Sequence, residues 1–249
     1  MIIGYVLAFF IGGSLGLLGG GGSILTVPVL VYILNIPAKE AVALSLAIVG
    51  FTSLIGSIGH LKAGNIDKKI ALIFAPTAML GTYLGTFIAS YLTGQLQLLL
   101  FSIVMILASY FMFKDKKEMP EGHIHKTNIP LVIIVSVFVG ILTGIVGVGG
   151  GFMIVPALVI LADTPMKKAV GTSLIIISLN SLSGFLGYLN KLTIDWQFLG
   201  IFTSLTAVGI LVGSYCVRFI SQRKLKKVFA IFLIIMGVLI LYKNRQVFL

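Results

Sequence analysis

The chain has 249 residues, of which 58% are hydrophobic and only 10% are charged, and its mean hydropathy is +1.14. Soluble domains carry about a quarter charged residues, so this composition excludes a soluble globular protein and indicates a polytopic membrane protein. The 18 basic residues outnumber the 7 acidic ones. Because the basic residues lie in loops between apolar segments, they indicate membrane topology rather than nucleic-acid binding.

The first half of the chain contains four apolar segments. The opening segment is interrupted by glycines, and no Lys or Arg precedes it. Because no small-residue cleavage site follows it either, we expect this segment to remain in the mature protein. The later segments are long enough to span a membrane at about 1.5 Å per residue. The predicted helices are 2–18 with 24–34, then 39–60, 68–91 and 96–113.

The second half of the chain has the same order of segments. A polar linker, 114–128 (KDKKEMPEGHIHKTN), separates it from the first half. Its opening segment is again interrupted by glycines and is followed by three longer apolar runs. The predicted helices are 130–146 with 152–162, then 167–189, 196–217 and 225–242.

An internal duplication relates the two halves. When the chain is shifted by 128 residues, Gly16 to Asp67 align with Gly144 to Asp195 without a gap, and 22 of the 52 positions are identical. The matches include glycines, prolines and aspartates, which a shared apolar bias does not explain. We therefore predict an all-α polytopic membrane protein with two homologous repeats, 1–113 and 129–249. Each repeat is predicted to contain a glycine-broken helical hairpin and three transmembrane helices.

The loop charges distinguish parallel from inverted repeats. If each interrupted segment crosses the membrane once, the 18 basic residues divide eight to ten between the two sides; if it turns back, they divide 14 to four. Basic residues accumulate on the cytoplasmic side of membrane proteins. The charges therefore predict inverted repeats in the inner or plasma membrane, with the linker in the cytoplasm and both termini outside.

Two glycine clusters lie where an apolar helix would otherwise continue, and glycine costs about 1 kcal/mol per position in a helix. Broken helices at matching positions of two repeats point to a transporter's binding site, and helix N-termini favour anions. We expect the two breaks to face each other, because lipid cannot satisfy free backbone groups. Close helix packing is the alternative explanation. The predicted substrate-binding residues here are Gly19, Gly21, Gly22, Ser23, Gly147, Gly149, Gly150 and Gly151.

Other glycines fit helix packing better. Gly81 and Gly85, with their repeat counterparts Gly209 and Gly213, are spaced by four residues within predicted helices. Small residues at this spacing allow two helices to approach closely. We therefore predict that these four positions lie at contacts between helices.

The second long helix of each half supplies polar side chains that could line the site. Serine and threonine in membrane helices also bond to their own backbone or to a neighbouring helix, so that alternative stays open. A primary amide in an apolar helix requires a partner, which singles out Asn180. The candidate substrate-binding side chains are Ser45, Thr52, Ser53, Thr172, Ser173, Asn180 and Ser181.

The remaining polar residues suggest no enzyme. The seven acidic residues fall at predicted helix ends or in loops, and Asp67 and Asp195 are predicted N-caps. His60, near the end of a predicted helix, is a possible gate or proton carrier. His123 and His125 lie in the linker without further metal ligands. We expect no catalytic residues, no metal and no cofactor.

The two motifs that open the halves carry a family resemblance. GLLGGGGSILTVP (Gly16 to Pro28) and GIVGVGGGFMIVP (Gly144 to Pro156) look like those of the sulfite exporter family of TauE/SafE type. The resemblance covers essentially the whole chain. It implies a permease for sulfur-containing or organic anions such as sulfite, thiosulfate, sulfoacetate or sulfonates, without selecting one. Ser23 in the first repeat aligns with Gly151 in the second, and this difference indicates that the site need not be symmetric.

The leading hypothesis is a secondary transporter that holds a small oxyanion between paired half-helix N-termini. Its expected partners are the anionic substrate, the lipid bilayer and a possible coupling proton or cation, with no nucleic acid. A passive anion channel and a non-transporting membrane scaffold or assembly factor are the alternatives. The sequence leaves open the identity of the anion, the direction of transport, the coupling ion and the oligomeric state.

Overall fold

A computed structural model describes residues 2–113, 129–146, 150–160, 164–189 and 194–243. The predicted linker, 114–128, lies outside the described residues, as do Gly147 and Gly149 of the second glycine cluster. Every regular element of the described residues is helical, which confirms the predicted all-α class. Five of the helices are long and apolar enough to cross a membrane.

The helices of the first half begin and end close to the predicted positions. A 3-10 turn, Gly19–Gly22, follows the first helix, and a π-helical turn, Val29–Ile33, continues the second. Both turns are local departures from α-helix geometry in the glycine-broken segment. The helices are α1 Ile2–Leu18, α2 Ser23–Pro28, α3 Ala38–Lys62, α4 Lys68–Ala89 and α5 Gly94–Phe113.

The second half repeats this order. Asp195 begins its third long helix as predicted, because its Oδ1 accepts a hydrogen bond of 2.9 Å from the backbone N–H of Phe198. In the first half, Oδ1 of Asp67 accepts the equivalent hydrogen bond of 3.0 Å from the backbone N–H of Ile70. Both predicted N-caps are confirmed. The helices are α6 Ile129–Val146, α7 Gly151–Ile160, α8 Met166–Leu189, α9 Trp196–Cys216 and α10 Gln222–Lys243.

Helices α3 and α8 form the centre of the bundle. In their most apolar windows 78% and 72% of the residues are buried, against 39% to 50% in α4, α6 and α9. The outer helices instead expose large apolar side chains, as expected where a protein meets lipid acyl chains. Examples are Phe10, Leu72, Leu80, Val212 and Ile231. The structure is that of a multi-pass membrane protein.

Glycines bring α1 against α9. A Cβ atom on Gly209 would overlap the carbonyl oxygen of Phe9, and one on Gly213 would overlap that of Gly13. The contacts follow the same order along both helices, so α1 and α9 are parallel. The predicted packing role of these two glycines is confirmed.

The counterpart contact joins α4 to α6. A Cβ atom on Gly81 would overlap the carbonyl oxygen of Val137, and one on Gly85 would overlap that of Ile141. These helices are also parallel, and the predicted packing role again holds. The first helix of each half therefore packs against the third long helix of the other half.

The central pair is antiparallel. Along α3, Gly50 lies against Ser181 and Gly56 against Leu174, so the order is reversed on α8. Helix α3 is parallel to α9, because Thr52 bonds to Thr206 and Gly56 packs against Ile210. Helices α1, α3 and α9 therefore run in one direction.

Helices α4, α6 and α8 run in the opposite direction. The hydroxyl of Ser183 donates to the carbonyl oxygen of Met79 at 3.2 Å, and further along the same pair Gly187 packs against Thr86. These contacts make α4 parallel to α8. Because α6 is parallel to α4, helices α1 and α6 run in opposite directions.

The chain folds back at the first glycine cluster. Gly22 packs against Leu15, whereas Gly4, near the other end of α1, packs against Leu34. The order of these contacts makes α1 and the segment 23–34 an antiparallel hairpin. The predicted hairpin in the first half is therefore present. In the second half Gly150 packs closely against Thr143 of α6.

Candidate functional site

The two helix breaks meet inside the bundle. A Cβ atom on Gly20 would overlap the backbone of Gly151, so the two chains touch at this point. The expectation that the breaks face each other is confirmed for these two residues. The structure places Gly21 and Gly22 in the 3-10 turn beside this contact.

Two glycines of the breaks have left-handed backbone conformations. Gly19 has φ of +63° and Gly150 has φ of +67°, which non-glycine residues adopt only with strain. These positions are not repeat counterparts, since Gly150 aligns with Gly22, whose φ is −67°. The two breaks therefore differ in backbone geometry.

Predicted serines lie close to the breaks. The hydroxyl of Ser173 is 2.8 Å from the position of a Cβ atom on Gly19, and it donates to the carbonyl oxygen of Val170. Ser23 donates to the carbonyl oxygen of Gly20 at 2.6 Å. Their protons are engaged, but their oxygens remain acceptors. Ser45, the repeat counterpart of Ser173, is fully buried on α3.

A cluster of buried hydroxyls lies where α3 crosses α8. We call Ser53, Ser178 and Ser181 the hydroxyl cluster. Ser53 lies on α3 between Gly50 and Gly56, which contact Ser181 and Leu174, so helical spacing places Ser53 level with Ser178. All three side chains are fully buried.

The hydroxyl cluster is unsatisfied. None of its three hydroxyl oxygens has a hydrogen-bond partner among the described residues. A buried polar group without a partner costs about 1 to 3 kcal/mol, and such groups are uncommon. A ligand with polar atoms would satisfy them. The glycine contact is adjacent, because Gly151 packs against Ile177, the residue before Ser178.

Asn180 adds an amide beside this cluster. Its Oδ1 contacts the hydroxyl of Thr82 on α4, and its Nδ2 is buried with no partner in the described part of the chain. Turning the amide by 180° exchanges the two atoms, so in either orientation one polar atom is unpaired. The requirement of Asn180 for a partner was predicted, and Thr82 provides one.

Two of the predicted threonines are used in helix contacts. Thr52 and Thr206 share a hydrogen bond of 2.7 Å between α3 and α9. Thr172 accepts a 2.8 Å bond from the backbone N–H of Asp67, at the connection between α3 and α4. Thr172 therefore lies at a helix end and not beside the hydroxyl cluster.

His60 lies outside the hydroxyl cluster. It is on the last turns of α3 and only 2% exposed, and it packs against Gly171 near the start of α8. It lines a pocket at that end of the bundle.

Charged side chains are confined to the helix ends. Within the described ranges, the acidic and basic residues lie in the first two turns or the last turn of a helix, or in the connections between helices. The donors and acceptors at the centre are therefore neutral hydroxyl, amide and backbone groups. Such a set can hold a small ion through directed hydrogen bonds without a fixed countercharge.

Sequence reasoning missed Ser178, Thr82 and Thr206. Ser178 aligns with Gly50, so the repeat comparison gave no matching polar residue. It precedes Ser181 by three residues, and this helical spacing is the signal that could have identified it. Thr82 and Thr206 lie on other helices, and only packing brings them to Asn180 and Thr52.

The chain is similar over most of its length to known membrane transporters. Residues 5–240 match the sequence model of a family described as sulfite exporter TauE/SafE. A probable membrane transporter protein of Xylella fastidiosa is 30% identical over 240 residues, which cover 94% of this chain and 92% of that protein.

Further relatives carry the same description. The probable membrane transporter protein YdhB of Bacillus subtilis is 28% identical over 86% of each chain. A probable membrane transporter protein of Methanocaldococcus jannaschii is 32% identical over 76% of this chain and 72% of that protein. No solved structure matches the chain.

Proposed function

The chain belongs to the TauE/SafE family of sulfite exporters, and we propose that it is a secondary transporter for a small anion. The curated relatives are named as probable membrane transporters. The proposed substrate is a sulfur-containing or organic oxyanion such as sulfite, thiosulfate or sulfoacetate. The inner or plasma membrane is the proposed location.

The observation that carries this proposal is the unpaired hydroxyl cluster next to the meeting glycine breaks. Ser53, Ser178 and Ser181 are buried without partners. The helices Ser23–Ile33 and Gly151–Ile160 begin at the two breaks. Hydroxyl and N–H groups that converge in a dry site suit the oxygens of an anion.

The helix directions support the proposal that the two halves are inverted repeats. Helix α1 packs against α9 and α6 against α4, while α1 and α6 run in opposite directions. Inverted repeats with broken helices allow one half to rock against the other around a central site. This motion would open the site to one side of the membrane at a time.

The first experiment is uptake into proteoliposomes. Purified protein is reconstituted and offered radiolabelled sulfite, thiosulfate or sulfoacetate, with and without an imposed proton gradient. We expect accumulation of at least one anion that depends on the protein. Gradient dependence would identify a coupled transporter, whereas rapid flux that follows only the anion's own electrochemical gradient would favour a passive channel. Absence of flux for all three, in folded protein, would favour a membrane scaffold.

The second experiment removes the unpaired hydroxyls. Ser53→Ala and Ser181→Ala, singly and together, are expected to reduce anion uptake at least about threefold. None of these three variants should unfold at a lower temperature, because deleting an unpaired buried hydroxyl removes a destabilising group. Uptake and thermal unfolding in detergent are measured on the same preparations.

The matched control is Ser204→Ala. Ser204 is exposed on α9 and donates to the carbonyl oxygen of Gly200 in its own helix. This variant should transport like wild type. Wild-type uptake by the Ser53→Ala and Ser181→Ala double variant would refute the hydroxyl cluster as the binding site.

A further inference from the structure

A polar pocket lies at the end of the bundle where α3 and α9 finish and α8 begins. Its volume is about 450 Å³. The polar residues that line it are His60, Asn65, Lys167, Ser214 and Tyr215. None of the lining residues is acidic, so the half-buried ammonium of Lys167 gives the pocket a positive charge.

The pocket lies among the ends of three helices. Asn65 lies in the connection after α3, Lys167 in the first turn of α8, and Val217 directly after α9. In the proposed topology these helix ends lie at the aqueous interface rather than among the acyl chains. Exposed lysines surround this end of the bundle: Lys62, Lys68, Lys69 and Lys168. It is the end that the loop charges predict to be cytoplasmic.

The inner side of the pocket adjoins the first helix break. Lys167, Val170 and Ser173 are spaced by three residues, so each is the helical neighbour of the next on α8. Lys167 lines the pocket, whereas Val170 and Ser173 contact Gly19. Neighbouring residues of α8 therefore connect the pocket to the glycine break.

We infer that this pocket is a vestibule that collects a small oxyanion on its way to the hydroxyl cluster. The inference rests on the proposed function and assigns a second, outer binding step to the same route. Lys167 attracts the anion, because a charge in a cleft with low-dielectric walls focuses the field. The hydroxyl and amide groups of Ser214 and Asn65 then coordinate it. The neutral cluster beyond releases the anion more readily than a fixed charge would.

The first test measures transport kinetics from the vestibule side. Uptake is assayed in inverted membrane vesicles, in which the side predicted to be cytoplasmic faces the medium. Lys167→Gln should raise KM by about threefold to tenfold without changing the maximal rate, because the charge acts on capture. High salt should reduce this difference, since it screens exposed charges. Lys167→Arg should behave like wild type.

The matched control is Lys39→Gln. Lys39 is the repeat counterpart of Lys167 and lies in the first turn of α3. Because α3 and α8 are antiparallel, Lys39 lies at the opposite end of the bundle. Its substitution should leave KM from the vestibule side unchanged. Equal KM values for Lys167→Gln and wild type would overturn the vestibule.

A second test measures binding without transport. Ala63→Cys, at an exposed lining position with no assigned part in anion binding, is made in a Cys216→Ser background so that it carries the only thiol, and is labelled with a membrane-impermeant maleimide. Sulfate is the probe anion, with chloride at equal ionic strength as the reference. Sulfate should slow labelling at least about twofold, because the anion is drawn into the pocket by Lys167. Adding Lys167→Gln should abolish the protection.

The two tests separate the two proposals. Anion uptake by wild type without sulfate protection would overturn the vestibule and leave the transport function intact. Sulfate protection without uptake of any anion would support the vestibule as a binding site and contradict transport. Protection that persists in Lys167→Gln would overturn the assigned role of this lysine.

Discussion

At the scale of single residues, the surroundings of a glycine decide what it contributes. Gly20 lies against the backbone of Gly151 in the core of the bundle, whereas Gly59 on α3 has no atom within 4 Å of the position of a Cβ. Backbone cannot move aside as a flexible side chain does, so an added methyl group is tolerated only at Gly59. The sequence presents both as glycines in apolar segments.

The contrast between Gly20 and Gly59 leads to a prediction about stability. Gly20→Ala should destabilise the protein by about 1 to 3 kcal/mol through overpacking. Gly59→Ala should be neutral or stabilising by up to about 1 kcal/mol, because alanine favours the helix. Thermal unfolding of both variants in the same detergent measures the difference. Equal unfolding temperatures would mean that the two helix breaks do not touch.

Polar residues at this scale were only partly predictable. Asn180 was singled out because a primary amide in an apolar helix requires a partner, whereas for Ser53 and Ser181 bonding within or between helices stayed an alternative. Thr172 has the same character but accepts a hydrogen bond from Asp67 at a helix end. A side chain's partner depends on which helix packs opposite it, and the sequence does not state which helices are in contact.

At the scale of helices, length and capping follow from local sequence. The predicted starts of α4 and α9 agree with the structure because Asp67 and Asp195 accept hydrogen bonds from the backbone three residues later. The glycine pairs also gave a correct packing prediction, because spacing of four places both on one face. The partner helix was not predictable from spacing, and packing assigned α6 to α4 and α9 to α1.

Two glycines of α9 test this packing. Gly213→Val should separate α1 from α9, because the side chain would overlap the backbone of Gly13. Gly200→Val on the same helix is the control, since Gly200 is exposed and has nothing within 4 Å. Both variants have the same helix propensity, so we expect a lower unfolding temperature for Gly213→Val alone. If both variants lowered the unfolding temperature equally, the destabilisation would come from valine within α9 itself and not from the contact between α1 and α9.

At the scale of the whole molecule, the charge distribution and the helix directions lead to the same arrangement. Fourteen of the 18 basic residues fall on one side if the halves are inverted. Independently, α1 and α3 are both parallel to α9, so the chain must return between α1 and α3. This return supports the proposal that the two halves are inverted repeats.

Topology reporters test the arrangement. A fusion within the linker 114–128 should report a cytoplasmic location, and one after Leu249 should report the outside, because the basic loops stay in the cytoplasm. An alkaline phosphatase and a fluorescent protein fusion at each point give opposite readouts and control for each other. A cytoplasmic reading at both points would contradict inverted repeats.

The sequence by itself determined the membrane class, the approximate ends of the helices and the family. Each of these depends on local composition, periodicity or residue-by-residue similarity, and all three can be read from the sequence alone. Only the tertiary structure decided that Gly20 meets Gly151, that Ser178 lies level with Ser53, and that Lys167 and His60 line one pocket. These are relations between segments far apart in the chain, and helix packing sets them.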